Sequence, residues 1–130
     1  IGSGVEIALL SDLRIGAAGT IFAMPEVHLG MIPAAGGTQT LPRNLGRSDA
    51  MELLLTGRRF DAHEALTMGL LTRVVPEGEL LEEAWQMTRH LAEVDSDLLA
   101  AAKACLLRGG DLPLTEALRL ESRLAAQALG

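Results

Sequence analysis

Residues 2–12 read G-S-G-V-E-I-A-L-L-S-D, residues 24–38 read M-P-E-V-H-L-G-M-I-P-A-A-G-G-T, and these two stretches decide how the chain folds. Each contains one carboxylate, Glu6 in the first and Glu26 in the second. Each carboxylate stands near glycines, which lack a Cβ and therefore allow backbone amides to approach a small molecule closely. The two stretches together form the candidate site of this chain.

The first stretch predicts a tight turn followed by a buried helix. Gly2 and Gly4 permit the turn, and the apolar residues after them predict the start of the helix. The amides at a helix N-terminus are free to bind negative charge. Glu6 lies one turn into this apolar helix, where a carboxylate indicates a specific task or partner.

The second carboxylate follows a strand-like run. Glu26 comes after a proline at the end of residues 20–23, so we expect it on a loop at a sheet edge. It lies 26 − 6 = 20 residues after Glu6, which is enough chain for a helix, a turn and a strand that return to the same place. Gly36 and Gly37 are explained equally well by substrate contact and by a turn before the next helix.

The rest of the chain alternates short strands with helices. Strands are predicted at residues 12–17, 20–24 and 70–75. Helices are predicted at residues 38–45, from a cap at Ser48 to Thr56, from a capping box of Asp61 and Glu64 to Gly69, and at 80–93, 98–107 (with its start marked by Ser96) and 114–129. Pro42 falls inside the first of these helices, although only the first turn accommodates a proline without cost. Strands separated by helices predict an α/β fold, or α+β when these residues are taken in isolation.

Length and composition allow one core and disfavour several functions. The chain has 130 residues, of which 48% are hydrophobic. A formal charge of −6 disfavours nucleic acid as a partner, and it means that a polyanionic ligand needs local basic groups. No apolar run approaches the roughly 18 residues of a membrane helix, so we expect a cytoplasmic protein without membrane contact. Because the chain opens on Ile1 in the middle of a motif, we interpret it as part of a longer protein.

Several residues of reactive types are expected to have structural or surface roles instead of catalytic or ligand-binding ones. The three histidines lack metal-ligand spacing, so we expect them to be structural or exposed and expect no metal. Cys105 lies in an apolar helical pattern, which predicts a small buried residue in a reducing compartment. Arginines in the middle of the chain are expected to be solvated charges rather than phosphate ligands. These residues are His28, His63 and His90 among the histidines and Arg43, Arg58 and Arg59 among the arginines.

The motifs resemble those of the enoyl-CoA hydratase/isomerase (crotonase) family. The resemblance rests on V-E-I-A-L-L-S-D-L-R-I at residues 5–15, F-A-M-P-E-V-H-L-G-M-I-P-A-A-G-G-T-Q at 22–39 and L-L-L-T-G-R-R-F-D-A-H-E-A-L-T-M-G-L-L-T-R-V-V-P at 53–76. It is specific because these motifs occur in the right order and at the right separations. It implies the later part of the crotonase spiral of ββα units over residues 1–76, followed over residues 77–130 by a helical region that builds homotrimers or dimers of trimers.

The resemblance also implies roles for the site residues. Glu26 would be the acid that protonates the α-carbon of a conjugated thioester, and Glu6 would orient and deprotonate the attacking water. The Ser3 amide would be one of two donors to the thioester oxygen, at a position where relatives commonly have glycine, while their second donor lies upstream of residue 1. Possible substrate contacts are Gly2, Gly4 and Ala34. Coenzyme A enters as part of the acyl-CoA substrate, and no metal, flavin or nicotinamide cofactor is expected.

Three functions are compatible with these expectations. The first is an enoyl-CoA hydratase, a lyase that adds water across the 2,3 double bond of trans-2-enoyl-CoA to give 3-hydroxyacyl-CoA. The second is an enoyl-CoA isomerase or another acyl-CoA enzyme of the family, in which one carboxylate can shuttle the proton. The third is a non-catalytic, oligomerising fragment. The presence of both Glu6 and Glu26 favours hydration over isomerisation.

Overall fold

The computed structural model describes residues 1–128, which form two compact units. The first unit is Ile1–Ala84, and the second begins at Trp85. The helices are α1 (Ser3–Leu9), α2 (Gly37–Asn44), α3 (Arg47–Thr56), α4 (Ala62–Thr67), α5 (Leu80–Ala92), α6 (Ser96–Gly109) and α7 (Leu114–Ala128), and the strands are β1 (Ile15–Ala17), β2 (Ile21–Ala23), β3 (Arg59–Asp61) and β4 (Arg73–Val75). The predicted mixture of helices and short strands is therefore confirmed. The division predicted after residue 76 concerns the assembled protein and stays a prediction.

The strands of the first unit form two separate pairs. β1 runs parallel to β4, and β2 runs antiparallel to β3. In the second pair Phe22 lies opposite Phe60, and their rings stack with centroids 5.5 Å apart. β3 was not predicted from the sequence. The burial of its residues alternates as a strand requires, with Phe60 buried between exposed Arg59 and Asp61.

One hydrophobic core fills the first unit. Its largest fully buried side chains come from α1, the end of β2, α2, α3, β3 and the segment after α4: Val5, Met24, Leu41, Leu53, Phe60 and Leu70. The strand predicted at residues 70–75 is wrong in its first half. The amides of Leu70 and Leu71 donate to the Ala65 carbonyl at 2.8 and 3.1 Å, so these two residues close the end of α4 before β4 begins.

Helix caps were predicted with mixed success. The Asp61 carboxylate accepts hydrogen bonds from the His63 and Glu64 amides at 2.9 and 2.8 Å, which confirms the start of α4. The predicted cap at Ser48 is wrong, because α3 already begins at Arg47 and is preceded by Gly46 without a side-chain cap.

Pro42 lies inside α2, as predicted. The helix begins at Gly37, one residue before the predicted start, which places Pro42 in its second turn. A proline there cannot donate the intrahelical hydrogen bond of that turn. The helix nevertheless continues to Asn44, whose side-chain amide donates to the Thr40 carbonyl at 2.8 Å.

The first strand is shorter than predicted, and Arg14 lies just before it. Residues 12–14 were expected to belong to it, but β1 begins at Ile15. The Arg14 guanidinium instead joins three segments by donating to the Ser11 carbonyl at 2.6 Å, to Asn44 Oδ1 at 2.9 Å and to the Leu70 carbonyl. Partial burial lowers the pKa of this guanidinium. Arg14 thus ties the ends of α1 and α2 together, and the opposite ends of these two helices carry the candidate site.

The second unit consists of helices. α6 starts at Ser96, two residues before the predicted start, because the Asp95 carboxylate accepts the Asp97 and Leu98 amides at 2.9 and 3.2 Å. α7 packs on α6, and its predicted end at Leu129 lies outside the described residues. No helix within residues 1–128 combines the length and apolar character needed to cross a membrane.

Candidate active site

Glu6 is held in the interior by the end of the second stretch, where the loop before α2 leads into the start of that helix. Its side chain lies on α1 and is only 3% exposed. Its Oε1 accepts hydrogen bonds from two backbone amides, those of Ala35 at 2.9 Å and Gly37 at 2.8 Å. Gly37 was predicted only as a turn or possible contact, and the Ala35 amide was not predicted. Two donors on one oxygen fix the orientation of the carboxylate and complement its negative charge.

Gly37 makes the close approach to Glu6 possible. A Cβ at this position would lie 2.9 Å from Glu6 Oε1, 2.8 Å from the Met24 Cε atom and 3.0 Å from the Pro33 Cβ atom. Glu6 and Met24 are themselves buried. A side chain at residue 37 would therefore have to displace buried neighbours.

Replacing Gly37 with alanine is expected to lower the free energy of unfolding by about 1–3 kcal/mol, because the added methyl group overpacks a filled site. Gly4→Ala is the matched control, since a Cβ at Gly4 in α1 has no heavy atom within 4 Å. That control is expected to stabilise the protein by up to about 1 kcal/mol through helix propensity. Urea titration of both variants measures the difference, and equal effects would contradict the described packing.

Glu26 begins a single turn of 3-10 helix, Glu26–Leu29, directly after β2. Glu26 was expected on a loop at a sheet edge, and the connection after β2 forms this 3-10 turn there, which Gly30 in a left-handed conformation closes through its hydrogen bond to Val27. Glu26 is 8% exposed, and its Oε2 is buried without a hydrogen-bond partner among the described residues. Buried polar atoms are rarely left unpaired, so this oxygen is the candidate atom of Glu26 for a contact with a group beyond the described residues.

The start of α1 is docked on the end of β2. The Gly2 amide donates to the Ala23 carbonyl at 2.8 Å, and Gly2 has a φ of 58°, which a residue with a side chain rarely adopts. A Cβ on Gly2 would lie 3.0 Å from Glu26 Oε1. The predicted tight turn at Gly2 is thus confirmed, whereas Gly4 lies inside α1 and makes no such turn.

The Ser3 amide lies at the first position of α1, next to Gly2. It makes no hydrogen bond within residues 1–128, as is usual for the first amides of a helix. Ser3 is an exposed residue. Its role as an oxyanion donor stays a prediction that this geometry supports.

The first turn of α1 is connected to both carboxylate-bearing residues. Glu6 lies in this turn, with its amide donating to the Gly2 carbonyl at 3.2 Å, and the Glu26 carboxylate lies next to the same glycine. Ala34 is exposed and precedes the Ala35 amide that binds Glu6. The structure therefore gathers the sequence-predicted residues around one helix start, which a single stretch of sequence does not reveal.

Comparison with known proteins decides the family. The family model described as enoyl-CoA hydratase/isomerase matches residues 1–129. The chain belongs to the enoyl-CoA hydratase/isomerase family. A protein named as a probable mitochondrial enoyl-CoA hydratase from Dictyostelium discoideum is 41% identical over 130 residues, and one named as a probable enoyl-CoA hydratase from Rhizobium meliloti is 42% identical over 124 residues.

Solved structures agree with this assignment. A crystal structure of enoyl-CoA hydratase from Bacillus anthracis superimposes with a TM-score of 0.93 at 37% identity, over 96% of this chain and 48% of that one. The two sequence relatives are matched over 100% and 95% of this chain but over only 47% and 48% of their own lengths. The chain therefore has the fold of this family and spans about half the length of the relatives that it matches.

The arginines, histidines and cysteine of this enoyl-CoA hydratase/isomerase family member that were expected to be structural or exposed were placed as follows. Arg58 forms ion pairs with Glu52 at 2.6 Å and Glu64 at 2.9 Å, and these carboxylates raise the pKa of its guanidinium. Arg43 donates to the Gln39 carbonyl at 2.8 Å. The remaining residues are exposed or, for the cysteine in the second unit, half-buried: Arg59, His28, His63, His90 and Cys105.

Proposed function

We propose that the full-length protein containing this sequence is an enoyl-CoA hydratase that converts trans-2-enoyl-CoA to 3-hydroxyacyl-CoA. The observation that carries the proposal is the pair of buried carboxylates, Glu6 and Glu26, against the first turn of α1 beside the Ser3 amide. The names of the relatives from Dictyostelium discoideum and Rhizobium meliloti support the same reaction.

Negative charge develops on the thioester oxygen when a nucleophile adds to a conjugated thioester. In this proposal the Ser3 amide, which has no partner among the described residues at the N-terminus of α1, donates a hydrogen bond to that oxygen. A preorganised donor of this kind contributes about 10²-fold to 10³-fold in rate. A second donor from outside residues 1–130 completes the proposed oxyanion site.

The surroundings of the two carboxylates suit different proton-transfer roles. Glu6 accepts two amides on Oε1, an arrangement that suits an ionised carboxylate acting as the base that takes a proton from water. Glu26 keeps a buried oxygen without a partner in the described part of the chain, which suits a protonated carboxyl that donates to the α-carbon. Water gives its hydroxyl to the β-carbon and its proton to Glu6, while Glu26 gives a proton to the α-carbon. A proton then passes from Glu6 to Glu26 through solvent, which restores both carboxylates and completes the cycle without a resident metal, flavin or nicotinamide.

Isomerisation of 3-enoyl-CoA is the alternative within the family. One carboxylate suffices for that reaction, because it removes a proton from one carbon and returns it to another. The close burial of a second carboxylate favours hydration. A purely oligomerising role is the third possibility, and it gives no reason for two buried carboxylates near the unpaired Ser3 amide.

We further propose that the full-length protein is a homotrimer or a dimer of trimers, since the family resemblance extends through α7. We expect it in the cytoplasm.

The test is an assay of the full-length protein with crotonyl-CoA in water. We expect loss of the absorbance of the conjugated thioester and formation of 3-hydroxybutyryl-CoA, identified by mass spectrometry. Interconversion of 3-enoyl and 2-enoyl thioesters without hydration would support the isomerase instead. No reaction with any enoyl-CoA would support the non-catalytic alternative.

A further inference from the structure

His28 lies on the same 3-10 turn as Glu26 and contacts the end of α3. Its Nε2 atom lies 2.6 Å from the Thr56 carbonyl oxygen. A carbonyl oxygen only accepts hydrogen bonds, so Nε2 carries the hydrogen and donates it. Thr56 is the last residue of α3, where carbonyls have no partner within the helix and hydrogen-bond donors are favourable.

Strand pairing explains why these two segments meet. β2 and β3 are antiparallel, with Ala23 opposite Arg59. The chain leaving β2 after Ala23 and the chain entering β3 before Arg59 therefore lie at the same edge. Since the 3-10 turn leaves β2 and α3 leads into β3, the two are neighbours by construction.

Gly57 shapes the surface that receives the histidine ring. It has a φ of 58° and ends α3. A Cβ at this position would lie 2.6 Å from the His28 Cδ2 atom, 3.0 Å from its Nε2 atom and 3.2 Å from the Pro25 Cα atom. Pro25, just before the 3-10 turn, and His28, within it, thus both lie close to this glycine. The contact is a close fit, not a chance approach of an exposed side chain.

The Glu26 carboxyl needs support from its backbone. Its buried Oε2 has no partner in the part of the chain that the structure describes, so no hydrogen bond at that atom fixes its direction. The turn itself is held by few bonds, among them the His28 amide to the Pro25 carbonyl at 2.9 Å and the Met31 amide to the Glu26 carbonyl at 3.1 Å. The bond from His28 to the Thr56 carbonyl is a further contact that holds this turn in place.

We propose that His28 is a positioning residue that holds the Glu26 turn against the end of α3 and thereby aims the Glu26 carboxyl at the substrate. The imidazole does not reach the reacting atoms and acts only through the turn. The inference rests on the proposed hydratase function, in which Glu26 delivers a proton to the α-carbon. It assigns the histidine of the P-E-V-H segment a task in that step.

The test compares three variants of the full-length protein. His28→Ala is expected to lower kcat for crotonyl-CoA about tenfold to a hundredfold with KM nearly unchanged, because a small misplacement of a catalytic group costs rate more than binding. His28→Gln retains an N–H donor of similar reach and is expected to restore most of the lost kcat. His63→Ala is the matched control, since this exposed histidine on α4 should leave kcat unchanged.

Two further measurements separate positioning from general damage. The dissociation constant of butyryl-CoA, which cannot be hydrated, should stay the same in His28→Ala. A kcat within about threefold of the unaltered enzyme, a rise in KM alone, or a loss that glutamine does not restore would each overturn the proposal.

A cycle of variants tests the contact without the reaction. Gly57→Ala is expected to lower the melting temperature more when His28 is present than in the His28→Ala background, because the new Cβ collides with the ring. Strictly additive effects would overturn the contact even if the enzyme is active. Absence of hydration by the unaltered protein, with a non-additive cycle, would instead contradict the proposed function and leave the contact standing.

Discussion

Glu26→Gln is expected to lower the hydration of crotonyl-CoA by the full-length protein about 10²-fold to 10⁴-fold, the usual contribution of a general acid. Glutamine has the shape of the glutamate side chain but cannot supply the proton. Because Oε2 has no partner among the described residues, the substitution breaks no hydrogen bond at that atom. The KM should therefore change little. Steady-state kinetics with crotonyl-CoA measures both quantities.

Glu79→Gln is the control for this experiment, since Glu79 is an exposed glutamate of the same unit. It makes the same exchange of residue type without touching the site and should leave kcat unchanged. Residual activity of Glu26→Gln above about a tenth of the original rate would contradict the role of general acid. A large rise in KM would mean instead that Glu26 binds the substrate.

Local signals in the sequence were sufficient for most helices. Asp61 caps α4 through residues two and three positions ahead, and the apolar spacing of α1 is set within one stretch. Short-range rules account for such features because all partners are close in the chain. The same rules failed at Ser48, because α3 begins at Arg47, one residue before the predicted capping residue, and follows Gly46 without a side-chain cap.

Features that depend on distant segments were predicted less well. β3 has only three residues, and it exists because β2, almost forty positions earlier, pairs with it. Leu70 and Leu71 look like strand residues by composition, yet their amides close α4. Arg14 joins residues from three segments, which no local pattern reveals. Tertiary contacts override local preference in all three cases.

The candidate site divides in the same way. The family resemblance identified Glu6, Glu26 and Ser3 from motifs, but not the contacts that hold them. The Ala35 and Gly37 amides on Glu6 come from residues 29 and 31 positions away. The His28 contact with Thr56 spans 28 positions. The sequence predicted the candidate reacting groups, whereas the contacts that hold these residues in place became visible only in the fold.

The chemical roles of the two carboxylates are separated by Glu6→Gln. The glutamine carbonyl oxygen can still accept the Ala35 and Gly37 amides, so the loop should keep its place. Its amide group cannot take a proton from water, and hydration is expected to fall about 10²-fold or more. Exchange of the α-protons of butyryl-CoA in deuterated water depends on Glu26 in the proposed mechanism and should largely survive. Proton NMR measures this exchange.

Glu6→Ala completes the comparison because it removes the acceptor as well as the base. The buried Gly37 amide and the part-buried Ala35 amide then lose this acceptor, which costs about 1–3 kcal/mol of stability for the buried group left unsatisfied. The alanine variant should therefore lose stability, hydration and α-proton exchange together, whereas the glutamine variant should lose hydration alone. If Glu6→Gln loses exchange and hydration equally, the two carboxylates act as one proton-transferring unit, and the division of roles between Glu6 and Glu26 proposed for this site is wrong.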